Sequence, residues 1–340
     1  MSRMTVRDDL AQGGRGERIL VTGASGFVGR WARAALARRA PEAQLIGAGS
    51  ARDGAIGSSA RDGLAETVAL DLRDRAATER LVRDLRPTAL LHLAAISDIP
   101  TANADPDACW AVNLGGAMTL GRAALADAPQ CRFVFAGTGD AYGASFRDAT
   151  GPLDERAPLA PTNPYATSKA AADLLMGQFA ADGLPTVRFR PFNHTGPGQS
   201  ERFVAPAFAA QIARIEAGRA PPTIRVGNLD AERDFLDVRD VVEAYLIALL
   251  GLRPIPHGAI FNLASGAPRS IRSLFDALRA LSRVAIDVET DPARMRPSDT
   301  PRSAGDAARA RAMLGWRPQI GWETTLADLL DHWRARVAPE

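Results

Sequence analysis

The sequence predicts a doubly wound α/β fold, a parallel sheet with helices on both faces and a smaller, interleaved α/β body attached to it. Three observations predict it. Short runs rich in Val, Ile and Leu alternate with amphipathic stretches from Arg18 onward, the pattern of parallel strands buried on both faces. The first run leads directly into Gly23-Ala-Ser-Gly26-Phe27-Val28-Gly29. The chain has 340 residues, 24% charged and 46% hydrophobic, enough to bury a full core and far from disordered or collagen-like composition.

The elements follow in order. ERILVT is the first strand, a helix-period run spans Phe27 to Ala40, and AQLIGAG is the second strand. ETVAL, a helix near Arg75 to Leu85 and TALLHLAA come next, then one helix near Asp105 to Leu125 and the strand CRFVFAG. A helix from Pro164 to Ala181, opened by Thr162, Asn163 and Pro164, precedes LPTVRFRP, with Pro at the first helical turn where its missing N–H costs nothing. After Pro191 the texture turns Gly- and Pro-rich around a helix near Val204 to Glu216. VRDVVEAYLIALL and AIFNLAS look like elements returning to the first sheet. The expected organisation is a loose tail over 1–16, a dinucleotide-binding domain over 17–190 with return elements at about 234–264, and a second domain from 191–233 and 265–337. The stretch DPARMRPSDTPR near 290 is loop-like.

Composition narrows the function. The 41 basic and 39 acidic residues leave a formal charge of +2 without a clustered basic stripe, so nucleic acid is excluded as the main partner. No apolar run approaches the ~20 residues that span a bilayer, and the first residues lack the apolar stretch expected of a signal peptide. Cys109 and Cys131 have neither disulfide nor metal spacing, so the expected location is the cytoplasm. His92, His194, His257 and His332 are scattered, which predicts no metal site. His92 reads as a satisfied core residue, and His194 as a residue that could orient its loop.

Glycines between the first strand and first helix let backbone approach a pyrophosphate, and the helix N-terminus offers unpaired N–H groups there. Gly23, Gly26, Phe27, Val28 and Gly29 are therefore candidate dinucleotide-binding residues of a Rossmann domain. The second strand ends without a carboxylate to accept from a ribose 2′-OH. Ser50 and Arg52 follow it and suit a 2′-phosphate, which favours NADPH over NADH; the alternative for Arg52 is an ordinary solvated loop arginine.

Of the 41 basic residues only one is a lysine, Lys169, and it falls four residues after Tyr165, one of three tyrosines. That spacing puts both side chains on one helix face. Lysine differs from arginine in offering a compact charge with rotatable donors, and an ammonium beside a phenol favours phenolate. Tyr165 is the expected acid or base, with its pKa held low by Lys169. Thr138 and Asp140 follow the fifth strand, at the end where such sheets bind ligands. Thr138 is expected to hydrogen-bond a carbonyl oxygen; the alternative is that it caps a turn while Asp140 is solvated.

These residues together resemble the extended short-chain dehydrogenase/reductase family of nucleotide-sugar epimerases, dehydratases and reductases. RPFNHTGPGQ (190–199), VGNLDAERDFLDVRDVVEAY (226–245) and MRPSDTPRSAGD (295–306) look like the GDP-4-dehydro-6-deoxy-D-mannose reductases, which make GDP-D-rhamnose. The resemblance implies that Thr138, Tyr165 and Lys169 are the catalytic set, to which Asp140, expected with Thr138 to face the cofactor, is added as a fourth catalytic candidate, and that Tyr165 and Lys169 also meet the cofactor. It places Asp71 and Leu72 on the adenine, Leu93, Ala94 and Ala95 along the cofactor, and Thr138, Asn193, Arg233 and Arg296 on the substrate. The implied partner is a GDP-linked 4-keto-6-deoxyhexose, the implied cofactor NADPH or NADH, and the implied assembly a homodimer. The related 4,6-dehydratases carry Glu where this chain has Asp140, and Gly139 removes a further acidic group, which argues against water elimination. The rival readings are a 4-epimerase or 4,6-dehydratase with tightly held NAD, and a non-catalytic protein that senses the cofactor ratio.

Overall fold

The computed structural model describes residues 16–49, 66–291 and 300–337. Its main sheet is built from β1 (Arg18–Thr22), β2 (Gln44–Gly49), β3 (Glu66–Ala69), β4 (Ala89–His92), β5 (Arg132–Ala136), β6 (Thr186–Pro191) and β11 (Ala259–Leu263). The seven strands lie in the order β11-β6-β5-β4-β1-β2-β3, and every neighbouring pair is parallel. The return of AIFNL to this sheet, beside β6, is as the sequence predicts.

Alternate residues of the strands feed two cores. Leu20, Leu90, Phe133 and Phe135 point into one, covered by α2 (Arg75–Leu85), α5 (Gly116–Asp127) and α6 (Pro164–Ala181). Ile19, Val21, Leu91 and Val134 point into the other, covered by α1 (Phe27–Arg39), α8 (Val238–Leu249) and α10 (Ala308–Leu314). With both faces buried, strands need apolar residues at every position rather than every second one.

The helix expected near Asp105 to Leu125 runs without a break from Pro106 to Asp127 but is not α-helical throughout. It is α4 (Pro106–Trp110), one π-helical turn over Ala111–Gly115, and then α5, preceded by a short α3 (Ile99–Ala104) that the sequence pattern did not mark. Asp98 and Asp105 cap these two short helices by accepting from the N–H groups of Thr101 and Ala108, so each begins where a carboxylate meets its first turn.

A third buried cluster lies outside the sheet. It joins α7 (Val204–Glu216), α9 (Ile271–Ala280) and α11 (Trp322–Val337) with β8 (Thr223–Val226), and includes a Phe208–Phe275 ring pair at 4.9 Å. β8 pairs with β13 (Asp287–Thr290), and β7 (Asn193–Thr195) with β10 (Phe235–Asp237). A third small sheet sets β9 (Glu232–Arg233) between β12 (Arg269–Ser270) and β14 (Arg302–Ser303). Beside β9, the fully buried Asp234 carboxylate accepts from Ser265 N at 2.7 Å, Ser265 Oγ at 2.6 Å, Gly266 N at 2.9 Å and Gly305 N at 3.3 Å. One carboxylate thereby fixes three separate chain segments.

Among the described residues no helix is long and apolar enough to cross a membrane. Cys109 and Cys131 are buried thiols.

A buried ionic cluster locks α6 to the sheet. Asp173 accepts from Arg190 Nε at 3.0 Å, Arg190 Nη2 at 2.9 Å and Arg188 Nη1 at 3.1 Å. Arg190 also donates to the Tyr142 hydroxyl at 3.0 Å, which donates onward to Asn262 Oδ1 at 2.7 Å. Asp173→Ala leaves two guanidiniums around an uncompensated buried site and should cost about 3–5 kcal/mol. Urea unfolding checks it, and a loss below about 1 kcal/mol would place the cluster among energetically neutral pairs.

Candidate active site

A cavity of about 950 Å³ opens along the carboxyl ends of the sheet strands, lined by Thr22 of β1, Ala48 of β2, Ala69 of β3, Ala136 of β5 and Pro191 of β6. It lies where the strand order reverses around β1, the crevice that such sheets use for ligands. Gly23, Gly26, Phe27, Val28 and Gly29 form part of its wall. Gly23 has φ +70°, and a Cβ there would sit 2.8 Å from Ala94 N; a Cβ on Gly29 would sit 2.2 Å from Gly23 O. Only glycine fits either place. Helix α1 has Gly26 as its N-cap, no side-chain cap and no acidic residue in its first turn, so its leading N–H groups and positive dipole end remain available to an anion.

Thr138, Asp140, Tyr165 and Lys169 line the same cavity, with Leu93, Ala94 and Ala95. Asn163 caps α6 by accepting from Ala166 N at 2.9 Å, with Pro164 in the first turn, and so starts the helix just before Tyr165. Thr138 Oγ1 accepts from Asp140 N at 3.1 Å, and its hydroxyl lies close enough to the Tyr165 phenol to lower that group's pKa. Thr138 therefore both caps a turn and faces the cavity. With one lone pair taken by a backbone N–H, its proton is free to turn toward the phenol or a ligand oxygen.

Lys169 is buried, donates to Ala136 O at the end of β5, and holds its ammonium 4.4 Å from the centre of the Phe135 ring. Burial lowers its pKa to about 8, against the raising effect of Asp173 one turn further along α6. The expectation that Lys169 holds the Tyr165 pKa low is corrected by this arrangement. Burial pushes the phenol above its ordinary value, the Asp140 carboxyl adds to the rise, and only the neighbouring Thr138 hydroxyl opposes it. The ammonium faces a backbone carbonyl instead.

His92, buried at the end of β4, shares a 2.7 Å hydrogen bond with Thr22 Oγ1 through Nδ1. Its Nε2 has no partner among the described residues, so only half of the ring is satisfied. Burial and then Lys169 drop its pKa to about 3, which keeps the ring neutral beside the ammonium.

At the far end of the cavity Asp71 and Leu72 line the wall, as does Arg73. Arg73 grips both Asp71 oxygens, with Nη2 at 2.6 Å and Nε at 3.0 and 3.1 Å. Asn193 lines the opposite end. Arg233 is not part of the lining; it is half-buried on β9, donates to Glu232 O at 2.8 Å, and lies within electrostatic range of Asp140. Ser50, Arg52 and Arg296 lie outside the described residues.

One residue was missed by the sequence reasoning. Asn113 sits in the π-turn, 1% exposed. It accepts from Ile96 N at 2.8 Å and donates to Ile96 O at 3.1 Å and Ser168 Oγ at 2.9 Å. It thus joins the cavity-lining loop after β4 to the α6 residue next to Lys169. A polar side chain inside an apolar helical run was the available signal. His194, whose Nδ1–H donates to Phe192 O at 3.0 Å, stacks on Phe27 at 6.3 Å and lines the cavity.

The Rossmann sheet, the glycine turn and the Tyr165/Lys169 pair define the class: nicotinamide-dependent enzymes of the short-chain dehydrogenase/reductase type acting on nucleotide sugars. Within it, the family model described as GDP-mannose 4,6 dehydratase matches residues 20–329, and the chain belongs to that family. The GDP-6-deoxy-D-mannose reductase of Pseudomonas aeruginosa is 35% identical over 328 residues, 95% of this chain and 99% of its own length. The UDP-glucose 4-epimerase of Azospirillum brasilense is 30% identical over 335 residues, 91% of this chain and 92% of its own. The solved structure of RMD from Pseudomonas aeruginosa complexed with NADPH superposes with a TM-score of 0.80 at 34% identity, covering 94% of this chain and 99% of that one.

The lowered pKa of Lys169 has a measurable sign. Between about 8 and the ordinary 10.5 the unfolded chain holds a proton that the folded one has lost, so this group's contribution to stability rises with pH across that window. Lys169→Met removes the titration. The stability of the wild type relative to Lys169→Met should increase from pH 7.5 to 9.5 in paired urea unfolding curves. A constant difference would mean that Lys169 titrates normally.

Proposed function

We propose that the protein is a reductase that converts the C4 ketone of GDP-4-dehydro-6-deoxy-D-mannose into the alcohol of GDP-D-rhamnose, with NADPH as reductant and NADH as the second choice. The observation that carries this reading is the paired Thr138 and Tyr165 hydroxyls in the cavity, with the short Asp140 beside them in place of the longer carboxylate of the dehydratases. The glycine wall that a Cβ would fill and the uncapped α1 N-terminus fit a pyrophosphate. Gly23, Gly26, Phe27, Val28 and Gly29 would hold it, Asp71 and Leu72 the adenine, and Leu93 to Ala95 the middle of the molecule. When bound, NADPH supplies the hydride for C4.

Tyr165 supplies the proton. A phenol whose pKa is pushed up keeps its proton at working pH, so it is a donor to the developing C4 alkoxide rather than a base. In the epimerase and dehydratase readings the same phenol would first have to take a proton from an alcohol. Thr138 steadies the ketone oxygen, and Lys169 orients the ribose. Asn193, Arg233 and Arg296 hold the diphosphate from the second domain, where a fixed guanidinium matches phosphate geometry. The proposed assembly is a homodimer through α5 and α6, supported by Leu174, 63% exposed on α6.

Purified protein given NADPH and the keto sugar should consume one cofactor per sugar and release a single GDP-6-deoxyhexose. Turnover of the sugar without net NADPH oxidation would assign an epimerase instead. Tyr165→Phe should cut the rate by about 10²–10⁴ with an unchanged melting temperature, and a fully active variant would remove Tyr165 from the mechanism.

A further inference from the structure

One acidic side chain in the cavity has no task in the reduction described above. Asp140 belongs to the 3₁₀ helix over Gly139–Phe146 whose N-cap is Thr138. Its N–H is bonded to Thr138 Oγ1, so its carboxyl and the Thr138 hydroxyl ride on one turn. Among the described residues three carboxyl groups line the cavity. Asp71 is gripped by Arg73, and Asp105 caps Ala108 at 3.0 Å. Asp140 alone accepts no hydrogen bond among the described residues. The titratable and charged groups that face it are the neutral Tyr165 phenol on α6 and the Arg233 guanidinium on β9. Burial pushes its pKa up and Arg233 only offsets the rise, the behaviour of a carboxyl short of donors. A ligand hydroxyl would supply one.

The proposed substrate determines which hydroxyl. In a 4-keto-6-deoxyhexose the ketone carbon has two neighbours: C3, which carries a hydroxyl, and C5, which carries a methyl group and the ring oxygen. With the ketone oxygen on Thr138 and Tyr165, an acceptor two residues from Thr138 on the same turn lies beside the carbons that flank C4. Only C3 offers a proton there. We propose that Asp140 accepts the hydrogen bond of the C3 hydroxyl and thereby selects keto sugars that carry one, an inference that rests on the reductase reading. A site built around a substrate hydroxyl rejects analogues that lack it more strongly than an apolar pocket could.

The test compares the GDP-linked keto sugar with its 3-deoxy analogue, measuring kcat/KM by NADPH oxidation for the wild type, Asp140→Ala and Asp140→Asn. A hydrogen bond to a charged group corresponds to a preference of about 10- to 150-fold for the 3-hydroxy sugar in the wild type. Asp140→Ala should shrink that preference to within about 3-fold, mainly by slowing the 3-hydroxy sugar, and Asp140→Asn, which keeps an uncharged acceptor, should fall between. Melting temperature and NADPH affinity establish that each variant is folded; if Asp140→Ala is not, Asp140→Asn decides by the same ratio. Equal losses on both sugars, or an unchanged preference, overturn the proposal. So does a wild type that reduces both sugars equally well. A wild type that oxidises no NADPH with either sugar overturns the reductase reading itself, and this inference with it.

Discussion

The site depends on one topological constraint. Parallel neighbours can be reached only by a crossover that carries the chain over a face of the sheet. Here the crossovers run one way from β1 to β2 and β3 and the other way from β4 outward. On either side of β1 the connecting segments diverge, and the carboxyl ends are left uncovered between them. The glycine turn after β1, the loop after β4 and the Thr138 turn after β5 all border that opening. None of their side chains needs to be adjacent in sequence, because the sheet spaces them.

Charge is then distributed by burial rather than by neighbouring pairs alone. Asp173 is neutralised by Arg188 and Arg190, yet still favours the charged form of Lys169. His92 is kept neutral by burial and by Lys169. The ammonium therefore stands as a single positive charge between a neutral ring and a compensated carboxylate, aimed at a backbone carbonyl. Tyr165, in the same wall, is governed by burial and by Asp140 on another element. The free enzyme thus keeps the phenol and the ammonium electrostatically apart even though they share a helix face.

Much of this was legible in the sequence for physical reasons. Strands buried on both faces leave unbroken apolar runs, so the sheet and the return of β11 to it could be read directly. Lys169 stood out because arginine fills every other basic position. What escaped depends on contacts between distant segments. A π-turn requires only one extra residue per turn, and nothing in AVNLG distinguishes it from an α-turn until Asn113 is seen bonded to Ile96 and Ser168. The Asp234 clamp joins residues 31 and 71 positions away. The position of Tyr165 on its pKa scale followed from burial, which an i, i+4 spacing does not report.

The solitary lysine also gives the molecule a built-in reporter. A protease that cuts only after lysine has a single target in this chain, near its middle, and that target is 3% exposed within α6. Such an enzyme cannot cleave the folded protein and divides the unfolded one into two large pieces. The rate of that one cut therefore measures how often α6 lifts from the sheet. The helix that opens is the one carrying Tyr165, so proteolysis here counts the excursions that dismantle the candidate site, with no background from other cleavages.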